Sequence, residues 1–157
     1  MIFRAQHFKA GFTYGRFDKI SGSFAFDDGK PEASSVKIEV DVASIDTNNK
    51  QRDADLLTPD YLDVAAFPTI KFESTAVKKA AEGQYEVTGN VTLHGVTKPV
   101  SVTMTKAGEA DDKWGGHRLG FEGTLTVLRS EYGMNKHLDG VGDEIRLTLA
   151  IEGTRKK

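Results

Sequence analysis

Residues 44–68 read SIDTNNKQRDADLLTPDYLDVAAFP, the one long interruption in a chain that otherwise alternates apolar and polar residues. Period-two alternation marks a strand with one face in a core and the other in water. Just upstream, 35–45 sets Val36, Ile38, Val40 and Val42 against Lys37, Glu39 and Asp41. Just downstream, 69–77 sets Ile70 and Phe72 against Lys71 and Glu73. The pattern continues through 84–94, with Tyr85, Val87, Val91 and Leu93 on one face, and returns at 100–105, 118–127 and 144–152. Residues 2–8 and a long ribbon over 12–26 supply two further strands. A segment as long as 44–68 between two strands needs structure or a task of its own.

Short connections make successive strands antiparallel neighbours. Eight such strands with one apolar face close into a barrel, which removes exposed edges. The expected fold is therefore all-β, an eight-stranded antiparallel up-and-down barrel with a short helical insert at 48–63. A two-sheet sandwich is the competing architecture. Connections then alternate between two ends. Turns at 28–34, 80–83 and 107–116 share one end, while 9–11, the insert, 94–98 and 130–140 share the other. Within the insert, 49–57 predicts a short helix capped by Asn48 or Asn49, with Leu56 and Leu57 turned toward the barrel. Pro59 opens a second turn holding Tyr61 and Leu62, so the segment reads as an apolar-faced lid.

Barrels of this size either fill with side chains or hold one small ligand. Gly89 and Gly123 fall in the inward phase, with Ser74 and Ala76 also small, and that pattern favours a tunnel. A bulge or tight bend is the other reading of those glycines. The expected tunnel contacts are Tyr14, Phe24 and Phe26, then Ile38, Val40 and Phe72, then Val91, Leu93 and Met104, then Phe121, Leu125 and Leu147.

Composition narrows the function classes. With 21 Lys and Arg against 23 Asp and Glu the net charge is −2, and no basic run precedes the tail at 155–157, which reads as a solvated terminus. Nucleic-acid binding has no electrostatic footprint. There is no cysteine, hence no disulfide, thiolate nucleophile or cysteine metal site. No apolar run approaches the length of a membrane span. His7, His94 and His137 come to the insert end but lack close ligand spacing, so no metal is expected. Asp46, Arg52 and Asp53 form a charged cluster that either pins the lid or offers Arg52 to a polar head group. Arg129 has the same two options at a strand end, beside Ser130 and Tyr132. Catalysis has little support: the chain has no Gly-x-Ser-x-Gly elbow, its acids fall on the outward phase, and no glycine-rich phosphate loop is present.

In order and spacing, SIDTNNKQRDADLL, FPTIKFEST, VTGNVTLHGVTKPV and LRSEYGMN resemble the YceI-like family of polyisoprenoid-binding proteins. The resemblance implies a lipocalin-like barrel holding a long isoprenoid chain, as prenyl lipid or isoprenoid quinone of the ubiquinone type, with no other cofactor. By matching motif it carries over His7, Asp46, Thr47, Arg52, Asp53, Arg129, Ser130 and Tyr132. It also implies a periplasmic or secreted location, with the cytoplasm as alternative. Members usually open further upstream, so Met1 is expected to stand inside the first strand with the leader left off.

The expected function is a non-enzymatic carrier or store, its head group met at the mouth by Arg52, Tyr132 and nearby backbone, with Arg129 and Leu56 also counted among the ligand contacts. Transient membrane contact and a homodimer are compatible with this reading. An enzyme acting on a lipid head group and a docking module for a quinone-using partner are the rivals.

Overall fold

Ten strands form in one antiparallel sheet, where eight were expected, because two of the expected strands bend. The computed structural model describes residues 1–156; Lys157, the last residue of the basic tail, lies outside them. The strands are β1 (Ile2–His7), β2 (Gly11–Phe17), β3 (Ile20–Ala25), β4 (Ser35–Asp41), β5 (Ile45–Asp46), β6 (Thr69–Ala81), β7 (Gln84–Leu93), β8 (Val96–Asp111), β9 (Gly116–Leu128) and β10 (Val141–Lys156). A single short helix, α1 (Lys50–Leu56), follows β5.

The 12–26 ribbon breaks at Asp18 and Lys19 into β2 and β3. The 35–45 strand turns through a single 3-10 turn at Val42–Ser44, where the Asp41 carboxylate accepts from the Ala43 N–H at 3.0 Å. Both halves of the first ribbon pair with both halves of the second: β3 with β4, and β2 with β5 through Arg16↔Asp46 and Phe17↔Ile45. Since β2 also pairs with β1 and β4 with β6, the sheet curls back on itself and the hydrogen-bonded circuit keeps eight positions. The antiparallel barrel reading holds over the sandwich, with the strand count corrected.

The alternation lands as read. In β7, Tyr85, Val87, Val91 and Leu93 are buried while Gln84, Glu86 and Asn90 are exposed. One bulge shifts the phase of β6: between Ser74 and Ala76 the register against β7 slips, which leaves Ala76 exposed and buries Val77. Two apolar clusters sit at opposite ends of the barrel. Away from the insert, Phe26 meets Tyr85 edge-on at 4.9 Å and Phe121 at 5.0 Å, and Val87, Val102 and Met104 surround them. At the insert end, Val91, Leu93, Val127, Tyr132 and Met134 form the second. A third cluster under the lid joins Phe17, Val40 and Ile45 to Phe3, Leu56, Leu57 and Leu62.

The helix is shorter than the insert. Asn49 caps it by accepting from the Arg52 N–H at 3.1 Å, and turns then carry the chain to Phe67. Pro68 and the return into β6 close the excursion, with Val42 N–H donating to the Pro68 carbonyl at 3.0 Å.

Candidate functional site: a lidded apolar cavity

Inward-facing side chains do not fill this barrel. A cavity of about 210 Å³ runs from Phe24, Phe26 and Tyr85 at one end to Leu56, Leu62, Arg129 and Met134 at the lid end. One buried water needs only about 10–15 Å³ on such a measure. Its wall is apolar nearly throughout, built from Phe72, Val91, Met104, Phe121, Leu125, Leu147 and their neighbours. An apolar void of this size holds water poorly and suits an apolar occupant. Among the described residues no carboxylate and no histidine lines it.

Most of the residues expected at the tunnel stand on this wall: Phe24, Phe26, Ile38, Val40, Leu56, Phe72, Val91, Leu93, Met104, Phe121, Leu125, Arg129 and Leu147. Five do not, each for its own reason. Tyr14 is corrected to the outer face, 58 % exposed and paired with Arg4, because the inward phase of β2 is Gly15 and Phe17. The aromatic run FTYGRF offers apolar residues in both phases, so alternation could not choose between them.

The two glycines face inward but leave no room for a ligand. A Cβ on Gly89 would lie 2.5 Å from the Glu73 carbonyl oxygen and 2.6 Å from the Phe72 ring. Gly89 is therefore the partner of the β6 bulge, as the alternative reading had it, and it admits Phe72. A Cβ on Gly123 would meet Met104 Sδ at 2.5 Å and the Thr103 carbonyl at 2.7 Å. The void lies elsewhere, along a wall that includes the short side chain of Ala5.

Arg52 braces the lid. Its Nε donates to Thr47 Oγ1 and one terminal nitrogen to the Thr47 carbonyl, both at 2.8 Å. Thr47 Oγ1 in turn donates to Asp53 Oδ1 at 2.6 Å, and the same oxygen accepts from the Thr47 N–H at 2.8 Å. The expected Arg–Asp clasp thus runs through a buried threonine, and Asp46 pairs instead with Arg16 at 2.9 Å. Tyr132 is corrected likewise: its side chain is packed among Val91, Leu93, Val127 and Met134, and its carbonyl accepts from His94 Nδ1 at 3.0 Å.

That contact fixes the proton of His94 on Nδ1, because a carbonyl can only accept. Nε2 is buried without a hydrogen-bond partner among the described residues, and the ring lies tilted against Phe67 at 4.6 Å between centroids. His7 lies against Phe8 at 4.5 Å and His137 beside Tyr61 at 6.4 Å.

Arg129 is the buried charge on the wall, 3 % exposed. Its guanidinium donates to three backbone carbonyls, Met134 at 2.7 Å, Val141 at 2.8 Å and Gly142 at 3.1 Å. Burial pulls its pKa down from the ordinary arginine value, with Asp143 opposing. Asp143 itself accepts from the Ser130 N–H and hydroxyl at 2.8 and 2.7 Å, and these bonds hold its carboxyl below the usual carboxylate range. Nothing in the sequence around Arg129 marks three carbonyls as its partners, since they lie across the 133–142 turn.

Residues 1–153 match the model of the YceI-like domain. A UPF0312 protein of Azotobacter vinelandii is 42% identical over 154 residues, covering 98% of this chain and 80% of its own. One from Pseudomonas syringae pv. syringae is 43% identical over 155 residues, covering 99% and 80%. Among solved structures, Burkholderia cenocepacia BcnA superposes with a TM-score of 0.88 at 26% identity, over 97% of this chain and 94% of that one. A polyisoprenoid binding domain from Saccharophagus degradans, implicated in plant cell wall breakdown, shares the fold with a TM-score of 0.73 at 13% identity, over 99% and 92%.

Proposed function

We propose that this chain, which belongs to the YceI-like family, binds a long-chain isoprenoid lipid, a prenyl lipid or isoprenoid quinone, and carries or stores it. The observation that carries the reading is the cavity: apolar along the barrel, lidded by Leu56, Tyr61 and Leu62, and without a carboxylate or histidine among its described lining residues. Each 100 Å² of prenyl chain withdrawn from water is worth about 2.5 kcal/mol before ordering costs. The fold neighbour named as a polyisoprenoid binding domain agrees with that chemistry.

Such a wall discriminates chain length weakly, because one methylene changes affinity by only about 1–3 kcal/mol. The head group is read at Arg129 rather than at Arg52 or Tyr132. Arg129 stands on the wall with three of its five N–H donors engaged, so a quinone carbonyl or phosphate oxygen reaching that end meets the others. A binding protein fits this wall better than an enzyme does, because it lacks the paired acid and base that hydrolysis of a head group needs.

The test is native mass spectrometry of the protein as purified, then organic extraction and uptake of added prenyl quinone. A released mass fragmenting in isoprene units, or saturable uptake, is the expected result. Ala5→Phe, which puts a ring into the void, should cut uptake sharply in protein that still folds. No uptake of any prenyl chain by folded wild type, or unchanged uptake in Ala5→Phe, would overturn the reading.

A further inference from the structure

The outer face of the β1–β2 hairpin sets two arginines side by side. Several charges on the barrel surface pair across strands: Lys37 with Glu73 at 2.6 Å, Lys71 with Glu39 at 3.4 Å, Arg118 with Glu152, and Arg16 of β2 with Asp46 at 2.9 Å. On the hairpin, Arg4 of β1 faces Arg146 of β10 directly in register, an arrangement that like charges disfavour. Neither arginine has a carboxylate partner among the described residues. Arg4 lies over the Phe12 ring at 4.1 Å, and with Tyr14, Ile2, Arg146 and Thr148 it lines a shallow groove.

The same face exposes large apolar side chains: Ile2 is 51% exposed, Phe12 50% and Phe8 67%. Phe8 occupies the hairpin tip at a backbone cost. Phe8 and Lys9 have φ of 47° and 55°, in a turn closed by the Ala10 N–H donating to the His7 carbonyl at 3.0 Å. Turns whose two central residues both have positive φ favour Asn-Gly, and a bulky residue there is strained. Strain kept at an exposed tip points to a use for the side chain it displays. The tip is held against the 135–140 loop by the Phe8 N–H, which donates to Gly140 at 2.7 Å, and that loop adds exposed Leu138.

We infer that this face docks the protein onto an anionic lipid bilayer. Aromatic and aliphatic side chains beside arginines suit the headgroup boundary, where rings and apolar tips enter the membrane and guanidiniums meet phosphates. Lys136 is paired with Asp60 at 3.6 Å, and the remaining Arg4, Lys9 and Arg146 stand against Asp139 and Glu144 along the face and its loop, so the local sign is positive by one charge although the chain is −2 overall. The inference rests on the cargo reading, since an isoprenoid insoluble in water must be exchanged with a membrane. β1 serves both sides: Phe3 and Ala5 line the cavity while Ile2 and Arg4 face outward.

Sedimentation of the full chain with phosphatidylglycerol-containing vesicles and with pure phosphatidylcholine vesicles tests it. The expected result is binding to the anionic vesicles that weakens with salt, and that falls about tenfold in Arg4→Gln/Arg146→Gln and in Phe8→Ser/Phe12→Ser. A fluorescent Phe8→Trp protein, with the only tryptophan removed by Trp114→Phe, should shift to the blue on those vesicles. Wild-type Trp114, 75% exposed in the far turn, should not shift. No binding at low salt, equal binding by the folded double variants, or self-association through Phe8 and Phe12 in place of vesicle binding would each overturn the docking face. Uptake of prenyl quinone from detergent is scored separately: uptake without vesicle binding removes only the docking face, and vesicle binding without uptake removes only the cargo.

Discussion

The Tyr85 hydroxyl, on a side chain only 1% exposed, donates to Asp28 Oδ1 at 2.5 Å and ties the 26–34 loop to the floor of the barrel. Lys79 Nζ reaches the same oxygen at 3.3 Å. The end of the cavity away from the lid is thus lined by a core aromatic that has found a carboxylate at its wet tip.

That bond makes stability depend on acid in a defined direction. Asp28 is held below the usual aspartate range, first by the Tyr85 hydroxyl and further by Lys79. A depressed carboxyl contributes stability that is present above its unfolded pKa, near 3.9, and lost as pH falls through the folded value. Tyr85→Phe should lower Tm at neutral pH, with the gap from wild type narrowing below about pH 4. A Tm difference constant from pH 7 down to pH 3 would show that Asp28 is not the linked group.

Thr47 should prove more important to the lid than Arg52, because both Arg52 and Asp53 bond through it. Thr47→Val keeps the shape but strands two partners, at an expected cost of about 1–3 kcal/mol in urea unfolding. Amide exchange at residues 47–57 should speed up, while Thr47→Ser stays close to wild type. Arg52→Ala should loosen the same segment yet leave prenyl uptake affinity unchanged within about twofold. A larger loss of affinity would return Arg52 to the ligand.

Arg129 cannot be replaced by lysine. Three carbonyls from the 133–142 turn converge on one planar fork, a geometry that a single ammonium does not reproduce. Both Arg129→Lys and Arg129→Met should cost on the order of 3 kcal/mol, from carbonyls left buried without a donor. Near-wild-type stability in the lysine variant would contradict the fork argument.

Two glycines allow a paired test of close packing. The three atoms nearest a Cβ on Gly153 would all belong to the Phe24 ring, whereas at Gly89 the nearest atom is the Glu73 backbone carbonyl. Alanine at either site should cost roughly 1–3 kcal/mol. Phe24→Leu should offset much of the Gly153→Ala loss in a double-mutant cycle, while Phe72→Leu should do little for Gly89→Ala. Equal coupling in both cycles would mean that backbone contact is not what limits Gly89.

The chain alone determined the alternation of β4, β7, β9 and β10, hence which of their faces is inward, and the antiparallel barrel follows from that pattern with the short turns. It also determined the lid: an asparagine cap at 48 or 49, which the structure places at Asn49, and Leu56, Leu57 and Leu62 as its apolar side are local signals, set by capping chemistry and by one run of polar residues ending in leucines. Tertiary structure decided the remainder. The bends at 18–19 and 42–44 depend on which ribbon pairs with which. The phase of Tyr14 depends on what lies opposite β2, and the bulge at Ser74–Ala76 on the partner strand. Whether Gly89 meets ligand or Phe72, and whether Arg129 meets a carboxylate or three carbonyls, depends on atoms far along the chain. Hydrophobic period is a property of neighbours in sequence, whereas the space left inside a barrel is a difference between volumes brought together from every strand, and no single segment carries it.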